Sequence, residues 1–407
     1  MKRSKQTLAE RGSAFYFCFF SVKCKVNGKE GISLGNKMYR STWAEVDLAA
    51  IGHNIDEMRS RLPGHCAVIA VVKADAYGHG AVEVAEKALA SGAKMLAVAL
   101  LEEALMLRDA NITVPILVFG RILPEDVPAA VNYDITLTCF QKEWIRDVNR
   151  LSLPSPVKVH MKWDTGMGRV GLRTEEELKE ITEEIRSSSG IHLTGIFTHF
   201  ATADDAGFDY FEMQHSRFNH FLKTFESIWH EPAVVHIGNS AASIRFPERM
   251  YDYIRFGISM YGLYPSDVLK DEHEIDLKPA FSLHSRLIHV KKMDPGESIS
   301  YGAIYTTADE EYIGTIPIGY ADGWARKLQG VDVLVDGKRM PVVGRITMDQ
   351  TMIKLDKEYP VGTKVTLIGK QGDDEIEADE IAEKLETINY EIPCMISERV
   401  PRKYKTD

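Results

Sequence analysis

The sequence contains few cysteines, and their arrangement indicates no structural role. Its 407 residues include five cysteines, which are odd in number, widely scattered and without a C-x-x-C pair. A chain of this length can bury a large enough core to fold without disulfides or a structural metal. We therefore expect reduced thiols and a cytoplasmic protein.

Long apolar runs and excess positive charge are also missing. No stretch approaches the roughly 20 apolar residues that a membrane-spanning helix needs. The formal net charge is −10, and the 13 histidines form no H-x-H or H-E-x-x-H group. The negative charge disfavours nucleic-acid binding, and the scattered histidines disfavour a metal-dependent hydrolase. We expect no nucleic acid, membrane or metal as a partner.

The first 37 residues do not resemble the rest of the chain. Basic residues precede a short apolar patch at 14–22, but no clear small-residue cleavage site follows. A secretory signal is therefore disfavoured. We predict that residues 1–37 are a disordered extension or lie upstream of the true start at Met38.

From residue 67 onward, short apolar runs rich in β-branched residues alternate with amphipathic stretches. The runs cover 67–73, 95–100, 114–120, 135–139, 157–163, 191–199, 233–237 and 253–258. Such runs, bounded by turn residues, are typical of buried parallel strands. Helical patterns at 81–90, 175–185 and 208–225 separate some of them, the second with Thr174 as a candidate N-cap. The order predicts an α/β fold, with a (β/α)8 barrel of the TIM type over residues 38–275.

The last link of this predicted barrel and the remainder of the chain depart from the pattern. The segment 238–252 is too short for a full-length helix. After about residue 276, short alternating runs separated by turn pairs such as Pro295-Gly296 replace the helices. This texture predicts a β-rich C-terminal domain over residues 276–407.

Lys73 lies at the end of the first predicted barrel strand, where barrel enzymes carry their chemistry. Next to a dry interior, the neutral form of its amine should be favoured. A neutral amine is what bond formation with an aldehyde cofactor requires. Residue type and position alone leave open a lysine that merely extends out of the barrel mouth.

The sequence around Lys73 narrows that choice. The segment V-V-K-A-D-A-Y-G-H-G at 71–80 closely resembles the cofactor-lysine signature of the alanine racemase family, a family of fold-type III pyridoxal-phosphate enzymes. Eight further segments resemble family blocks in the family's order, at 162–171, 197–204, 238–247, 255–262, 300–305, 316–323, 344–350 and 388–394. Nine collinear blocks between about 38 and 402 make the resemblance highly specific.

The resemblance implies an isomerase that interconverts L- and D-alanine with two bases. Lys73 would carry pyridoxal 5'-phosphate and act on D-alanine, and Tyr301 from the partner subunit would act on L-alanine from the opposite face. Two bases on opposite faces suit a reaction that removes and returns a proton on either side. A phenol is ionised to about one part in a thousand at neutral pH, so such a base needs help from neighbouring groups.

The resemblance also implies how the cofactor and substrate are held. Arg255 would bond the pyridine nitrogen, with His199 nearby. The phosphate would bind Tyr77, Ser240, Tyr390 and the backbone of Gly257 and Ile258, supported by Asn239. Arg169 would contact the substrate carboxylate or the cofactor's phenolic oxygen, and Lys162 is a candidate for carbamylation. Met348 from the partner would close the pocket, and Tyr320 would narrow its channel to favour a small side chain.

Because the partner subunit would supply Tyr301 and Met348, the resemblance implies a homodimer. It also implies that the enzyme supplies D-alanine, with peptidoglycan synthesis as the expected use. Two other pyridoxal-phosphate readings remain. A decarboxylase with the same two-domain plan would carry a cysteine-and-aspartate motif in its second domain, and none is found; Cys394 lies instead in the block at 388–394. A non-catalytic cofactor carrier would consist of the barrel alone, which the second domain and Tyr301 disfavour.

Overall fold

The computed structural model describes residues 39–406. The predictions for residues 1–37 and for a start at Met38 lie outside the described residues. Within them the chain forms twenty strands and twelve helices, besides short 3-10 turns.

The strands are β1 (Thr42–Asp47), β2 (Ala67–Val71), β3 (Met95–Val98), β4 (Ile116–Val118), β5 (Ile135–Cys139), β6 (Val157–Lys162), β7 (Ile191–Phe197), β8 (Val234–His236), β9 (Tyr253–Phe256), β10 (Phe281–Arg286), β11 (His289–Met293), β12 (Ser298–Ile299), β13 (Tyr305–Thr306), β14 (Glu311–Ile316), β15 (Asp332–Val335), β16 (Lys338–Val343), β17 (Thr351–Leu355), β18 (Lys364–Gln371), β19 (Asp374–Ile376) and β20 (Arg402–Lys405).

The helices are α1 (Leu48–Arg61), α2 (Lys73–Gly78), α3 (Ala81–Ala90), α4 (Leu101–Asp109), α5 (Val127–Asn132), α6 (Lys142–Val148), α7 (Glu175–Arg186), α8 (Asp209–Ile228), α9 (Ser240–Arg245), α10 (Asp267–Glu272), α11 (Ala378–Leu385) and α12 (Glu391–Met395). Thr174 caps α7, as predicted, because its hydroxyl accepts a hydrogen bond from the backbone N–H of Glu177.

Strands β2 to β9 pair in chain order and close into a parallel barrel, with β9 returning to β2. All eight correspond to the predicted apolar runs, so the barrel prediction is confirmed. Alternate residues of the first three strands form a small separate cluster of Ile69, Val71, Met95, Ala97 and Leu117. The other faces of these strands join the large core that the helices cover. The short link before β9 holds only the six-residue α9 and a 3-10 turn, as its length predicts.

The second sheet has ten strands in the order β11-β14-β17-β16-β15-β18-β10-β1-β20, with β19 beside β18. This strand-rich region confirms the prediction that β-strands predominate after the barrel. One strand of this sheet was not expected there, because β1 lies within residues 38–275, the range predicted for the barrel. It pairs antiparallel with β10 and parallel with β20. The two ends of the described chain therefore meet in one sheet.

Among residues 39–406, no helix is both long enough and apolar enough to cross a membrane.

Candidate active site

A cavity of about 550 Å³ opens at the carboxyl ends of the barrel strands. Eleven of the fourteen predicted site residues line it: Lys73, Tyr77, Lys162, Arg169, His199, Asn239, Ser240, Arg255, Gly257, Ile258 and Tyr390. Four of these are lysines or arginines, whereas the lining carries a single carboxylate, that of Asp204. The cavity therefore suits a ligand with negative charge.

The chain makes an unusual turn directly after β2, where Lys73 begins α2. Residues 74–77 all have φ of 52–53° and ψ of 38–52°, so the turn is left-handed. For residues other than glycine this conformation costs roughly 1–2 kcal/mol each. Strain of this size persists only where the surroundings over-determine it. The turn places Lys73 and Tyr77 on the same cavity wall.

Contacts at the far end of α2 help to hold this turn. Arg402 on β20 donates from Nε to the carbonyl of Gly78 at 3.0 Å. Asp75 accepts a hydrogen bond from the backbone N–H of Ala81 at 2.8 Å. Gly78 has φ of +80°, and a Cβ there would lie 2.3 Å from the carbonyl oxygen of Pro393, so α12 packs directly against the turn.

The pKa of the Lys73 amine lies below its usual value. Burial is the largest cause, and the nearby positive charge of Arg169 adds to it, while Glu103 and Cys394 oppose the shift. The lowered pKa enlarges the fraction of neutral amine, as expected from the position of Lys73 at the barrel mouth.

Lys162 is the last residue of β6 and is almost fully buried. Burial, aided by the charges of Arg169, Arg255 and Lys73, lowers its pKa to about 8. Its ammonium lies 5.5 Å from the centre of the Phe197 ring. With this pKa, roughly a tenth to a fifth of the amine is neutral near physiological pH, far more than for an ordinary lysine.

Arg255 on β9 is buried, and its guanidinium donates to acceptors around it. It reaches the carbonyl oxygens of Thr198, His236 and Ile237 at 2.8–3.0 Å, and His236 Nδ1 at 3.0 Å. A further donation goes to Nδ1 of His199 at 3.2 Å. Because arginine only donates, each imidazole must carry its proton on Nε2.

Both histidines bonded to Arg255 are neutral. Burial and then the charge of Arg255 hold the pKa of His199 and of His236 well below the usual value. His236 in turn donates from Nε2 to Nδ1 of the buried His160, 2.9 Å away. His199 is left with an Nε2–H donor, and it lines the cavity.

Hydroxyl groups and a glycine form the wall where a phosphate is predicted. The Tyr77 and Tyr390 rings lie 6.5 Å apart between centres, and burial raises the pKa of both phenols, which keeps their O–H donors. Ser240 Oγ accepts the backbone N–H of Gly257 at 3.1 Å. A Cβ on Gly257 would lie 3.0 Å from the Tyr77 hydroxyl, so glycine keeps this wall open. The donor set fits a phosphate.

Tyr301, Tyr320 and Met348 do not line the cavity of this chain. Like Tyr390, which does line it, they belong to the C-terminal region, and 71%, 45% and 53% of their respective surfaces are exposed. Exposed large apolar groups of this kind commonly mark an interaction surface.

The loops that carry Tyr320 and Met348 are joined to each other. The backbone N–H groups of Tyr320 and Ala321 donate to the carbonyl oxygens of Thr347 and Met348. Asp322 is fully buried beneath them and pairs with Arg40 at 2.8 Å and Arg399 at 3.4 Å. It also accepts the backbone N–H of Gly319 at 3.0 Å.

The sequence reasoning missed several residues at the site. Leu100, Phe119 and Phe140 line the cavity, and His236 holds Arg255. Phe119 and His236 both lie at the carboxyl end of a predicted strand, and that position could have indicated them. Leu100 is likewise the last residue of the predicted run 95–100, whereas Phe140 lies one residue beyond the run 135–139, which is a weaker signal of the same kind.

The barrel, its lysine-bearing cationic cavity and the second sheet define a two-domain barrel enzyme whose site suits an anionic ligand. A family model for the alanine racemase N-terminal domain matches residues 46–265, and one for the C-terminal domain matches residues 280–404. The chain belongs to the alanine racemase family.

Individual relatives agree with this assignment. The chain is 55% identical to an alanine racemase of Geobacillus stearothermophilus over 90% of this chain and 94% of that protein. A Bacillus anthracis alanine racemase structure with bound L-Ala-P has a TM-score of 0.89 and 48% identity, covering 91% and 96% of the two chains. A histidine racemase of Leuconostoc mesenteroides has a TM-score of 0.84 and 31% identity, covering 91% and 100%.

Proposed function

We propose that this racemase interconverts L- and D-alanine with pyridoxal 5'-phosphate and two bases, Lys73 and Tyr301. The observation that carries the proposal is a lysine with a lowered pKa at a barrel-strand end, inside a cavity lined by five lysine and arginine side chains. The alanine racemase family depends on pyridoxal phosphate. The charge of the cavity suits both the phosphate of this cofactor and the carboxylate of an amino acid.

The cavity residues divide the work of holding the cofactor. Lys73 would bind its aldehyde carbon, Arg255 would donate to its pyridine nitrogen, and His199 would lie beside them. The phosphate would be bound by the hydroxyl and backbone groups of Tyr77, Ser240, Gly257, Ile258 and Tyr390, supported by Asn239. Once bound, pyridoxal phosphate makes the α-proton of an amino acid acidic by withdrawing electrons from the α-carbon.

Lys73 and Tyr301 would then move that proton on opposite faces of the substrate. The neutral amine of Lys73, favoured by its burial, accepts a proton at Nζ. Tyr301 would come from a second subunit, which its exposure permits. The Nε2–H of His199, fixed by the bond from Arg255, would donate to the Tyr301 oxygen and favour its deprotonated form.

The remaining residues would bind and select the substrate. Arg169 would pair with its carboxylate, Met348 of the partner subunit would close the pocket, and Tyr320 would narrow the channel so that a methyl side chain fits best. Lys162 would be carbamylated, because its pKa of about 8 leaves a neutral amine that can add carbon dioxide. Electron density for a carboxylate on Lys162 tests this modification, and a bare amine at neutral pH in bicarbonate contradicts it.

The active form would be a homodimer, because the residues of the second base and the pocket closure lie outside the cavity of their own chain. A mixture of Lys73→Ala and Tyr301→Phe proteins tests this arrangement. With random exchange, half of the dimers are mixed and carry one intact site of two, so activity should recover to about a quarter of the wild-type value. Demonstrated subunit exchange without recovery would contradict shared sites. We expect the dimer to work in the cytoplasm and to supply D-alanine for peptidoglycan.

A chiral assay on purified, cofactor-supplemented protein tests the reaction. L-alanine and D-alanine should interconvert, and serine, lysine, arginine and histidine should react more slowly. Borohydride reduction should leave a pyridoxyl group on Lys73 in a peptide mass spectrum. Release of carbon dioxide would indicate the decarboxylase alternative, and binding of cofactor without turnover would indicate a carrier.

A further inference from the structure

One carboxylate joins the ends of two neighbouring barrel strands beside Lys73. Glu103 lies in the first turn of α4 and accepts three backbone hydrogen bonds. Its Oε2 accepts from Ala99 at 2.8 Å and from Leu100 at 3.0 Å. Its Oε1 accepts from Ala74 at 2.6 Å. Glu103 is not among the residues that line the cavity.

The two carboxylate oxygens of Glu103 bond different segments of the chain. Oε2 accepts from the N–H of Leu100, the N-cap residue of α4, as the glutamate of a capping box does, and also from that of the neighbouring Ala99. Oε1 points to another segment altogether, the peptide that joins Lys73 to Ala74. Helix capping does not require this second contact, so the bond to Ala74 needs an explanation of its own.

The contact falls where the chain most needs support. Ala74 is the first of the four left-handed residues, and the peptide that Glu103 bonds is the one directly after the Lys73 α-carbon. The orientation of that peptide plane sets the backbone conformation of Lys73 and hence the direction of its side chain. The support is rigid, because Leu101, Ala104 and Leu107 of α4 are buried in the core.

We propose that Glu103 is a positioning residue that holds the left-handed turn and thereby aims the Lys73 amine into the cavity. The proposal rests on the assignment of Lys73 as the cofactor lysine. Glu103 acts through the backbone and touches neither substrate nor cofactor. It secures the start of the turn, as Arg402 secures its end at Gly78.

The variant Glu103→Gln separates positioning from capping. Glutamine retains one acceptor oxygen, which best serves the two cap donors of Ala99 and Leu100. Its NH2 group then faces the N–H of Ala74, donor against donor. Glu103→Ala removes both functions. Glu102→Gln is the matched control, because Glu102 is the preceding residue of the same helix and is exposed.

Three measurements then decide the question. In cofactor-free protein, amide hydrogen exchange of the 73–78 segment should be faster in Glu103→Gln than in wild type. In the holoenzymes, the variant should lose pyridoxal phosphate to a scavenger faster, and kcat should fall about 10- to 100-fold with a smaller change in KM, as expected for a misplaced catalytic group. Glu102→Gln should match wild type in all three.

The outcomes separate this proposal from the proposed function. If Glu103→Gln matches wild type in exchange, cofactor retention and kcat while Glu103→Ala is only less stable, Glu103 is a helix cap and the inference is wrong. If wild-type protein itself gains no pyridoxyl group on Lys73 after borohydride reduction, the assignment of the cofactor lysine fails instead.

Discussion

The predicted site residues fall into two groups with opposite surroundings. The cavity group lies at the barrel mouth, where burial lowers the pKa of Lys73 and Lys162 and keeps His199 neutral. The exposed group, Tyr301, Tyr320 and Met348, lies on loops of the second sheet region. The first group is already assembled within one chain, whereas the second lies outside that cavity and would reach a cavity only in the proposed dimer. A racemase that needs bases on two faces can obtain the second from a neighbouring subunit.

The largest effect should come from the cavity group. Replacing Lys73 by alanine removes both the cofactor's anchor and one base, so kcat for alanine should fall by about 10⁴-fold or more in either direction. The chiral assay measures this loss. The control is Lys94→Ala, an exposed lysine just before β3 at the opposite end of the barrel. Residual activity within tenfold of wild type would exclude Lys73 as the essential amine.

The next largest loss of activity should come from the exposed group, without any loss of bound cofactor. Tyr301→Phe removes only a hydroxyl from an exposed ring, so folding and cofactor retention should match wild type. A lost acid/base group should lower kcat by about 10²- to 10⁴-fold. Tyr133→Phe, at another exposed tyrosine, should change nothing. Equal kcat in both variants would remove Tyr301 from the mechanism and weaken the contrast between the groups.

A smaller effect should follow from loosening the loops of the exposed group. Asp322→Asn takes a buried charge away from Arg40 and Arg399, and should lower the free energy of unfolding by about 3 kcal/mol in urea titrations. Asp322 bonds the loop of Tyr320 through the N–H of Gly319, and that loop is hydrogen-bonded to the loop of Met348. KM for alanine should therefore rise several-fold, with cofactor retention unchanged. The control Asp336→Asn changes an exposed carboxylate in a left-handed turn that asparagine also adopts. A change in cofactor retention would show that the two groups are not independent.

The smallest effect concerns pH. The pKa of Lys162 is about 8 in the fold, below its value in the unfolded chain, so its charged form destabilises the protein below pH 8. That penalty disappears as pH rises from about 8 to about 10.5. In buffer free of carbon dioxide, Lys162→Met should therefore be more stable than wild type at pH 7, by at most about 3 kcal/mol, and the difference should shrink toward pH 10. A constant difference across this range would contradict a buried, titrating amine.

Some of these features could be predicted from sequence, and others could not. The barrel strands were predictable because buried parallel strands are apolar throughout, and Thr174 because capping is local. The left-handed turn after Lys73 was not, because it is rare for four consecutive non-glycine residues, and contacts to it come from Glu103 and Arg402, which lie about 30 and 330 positions away. The resemblance to the family named the site residues, but no spacing rule separates those that gather in one cavity from those that face outward.

The position of β1 has a consequence for how the protein is made. This strand leaves the ribosome early, yet its partners β10 and β20 are translated after the whole barrel. Arg402, which donates to the last residue of the turn after Lys73, is likewise translated after the whole barrel. While the barrel is being synthesised, Lys73 therefore lacks one of the contacts that hold its turn. Translation of β20 supplies both an edge strand of the second sheet and that contact.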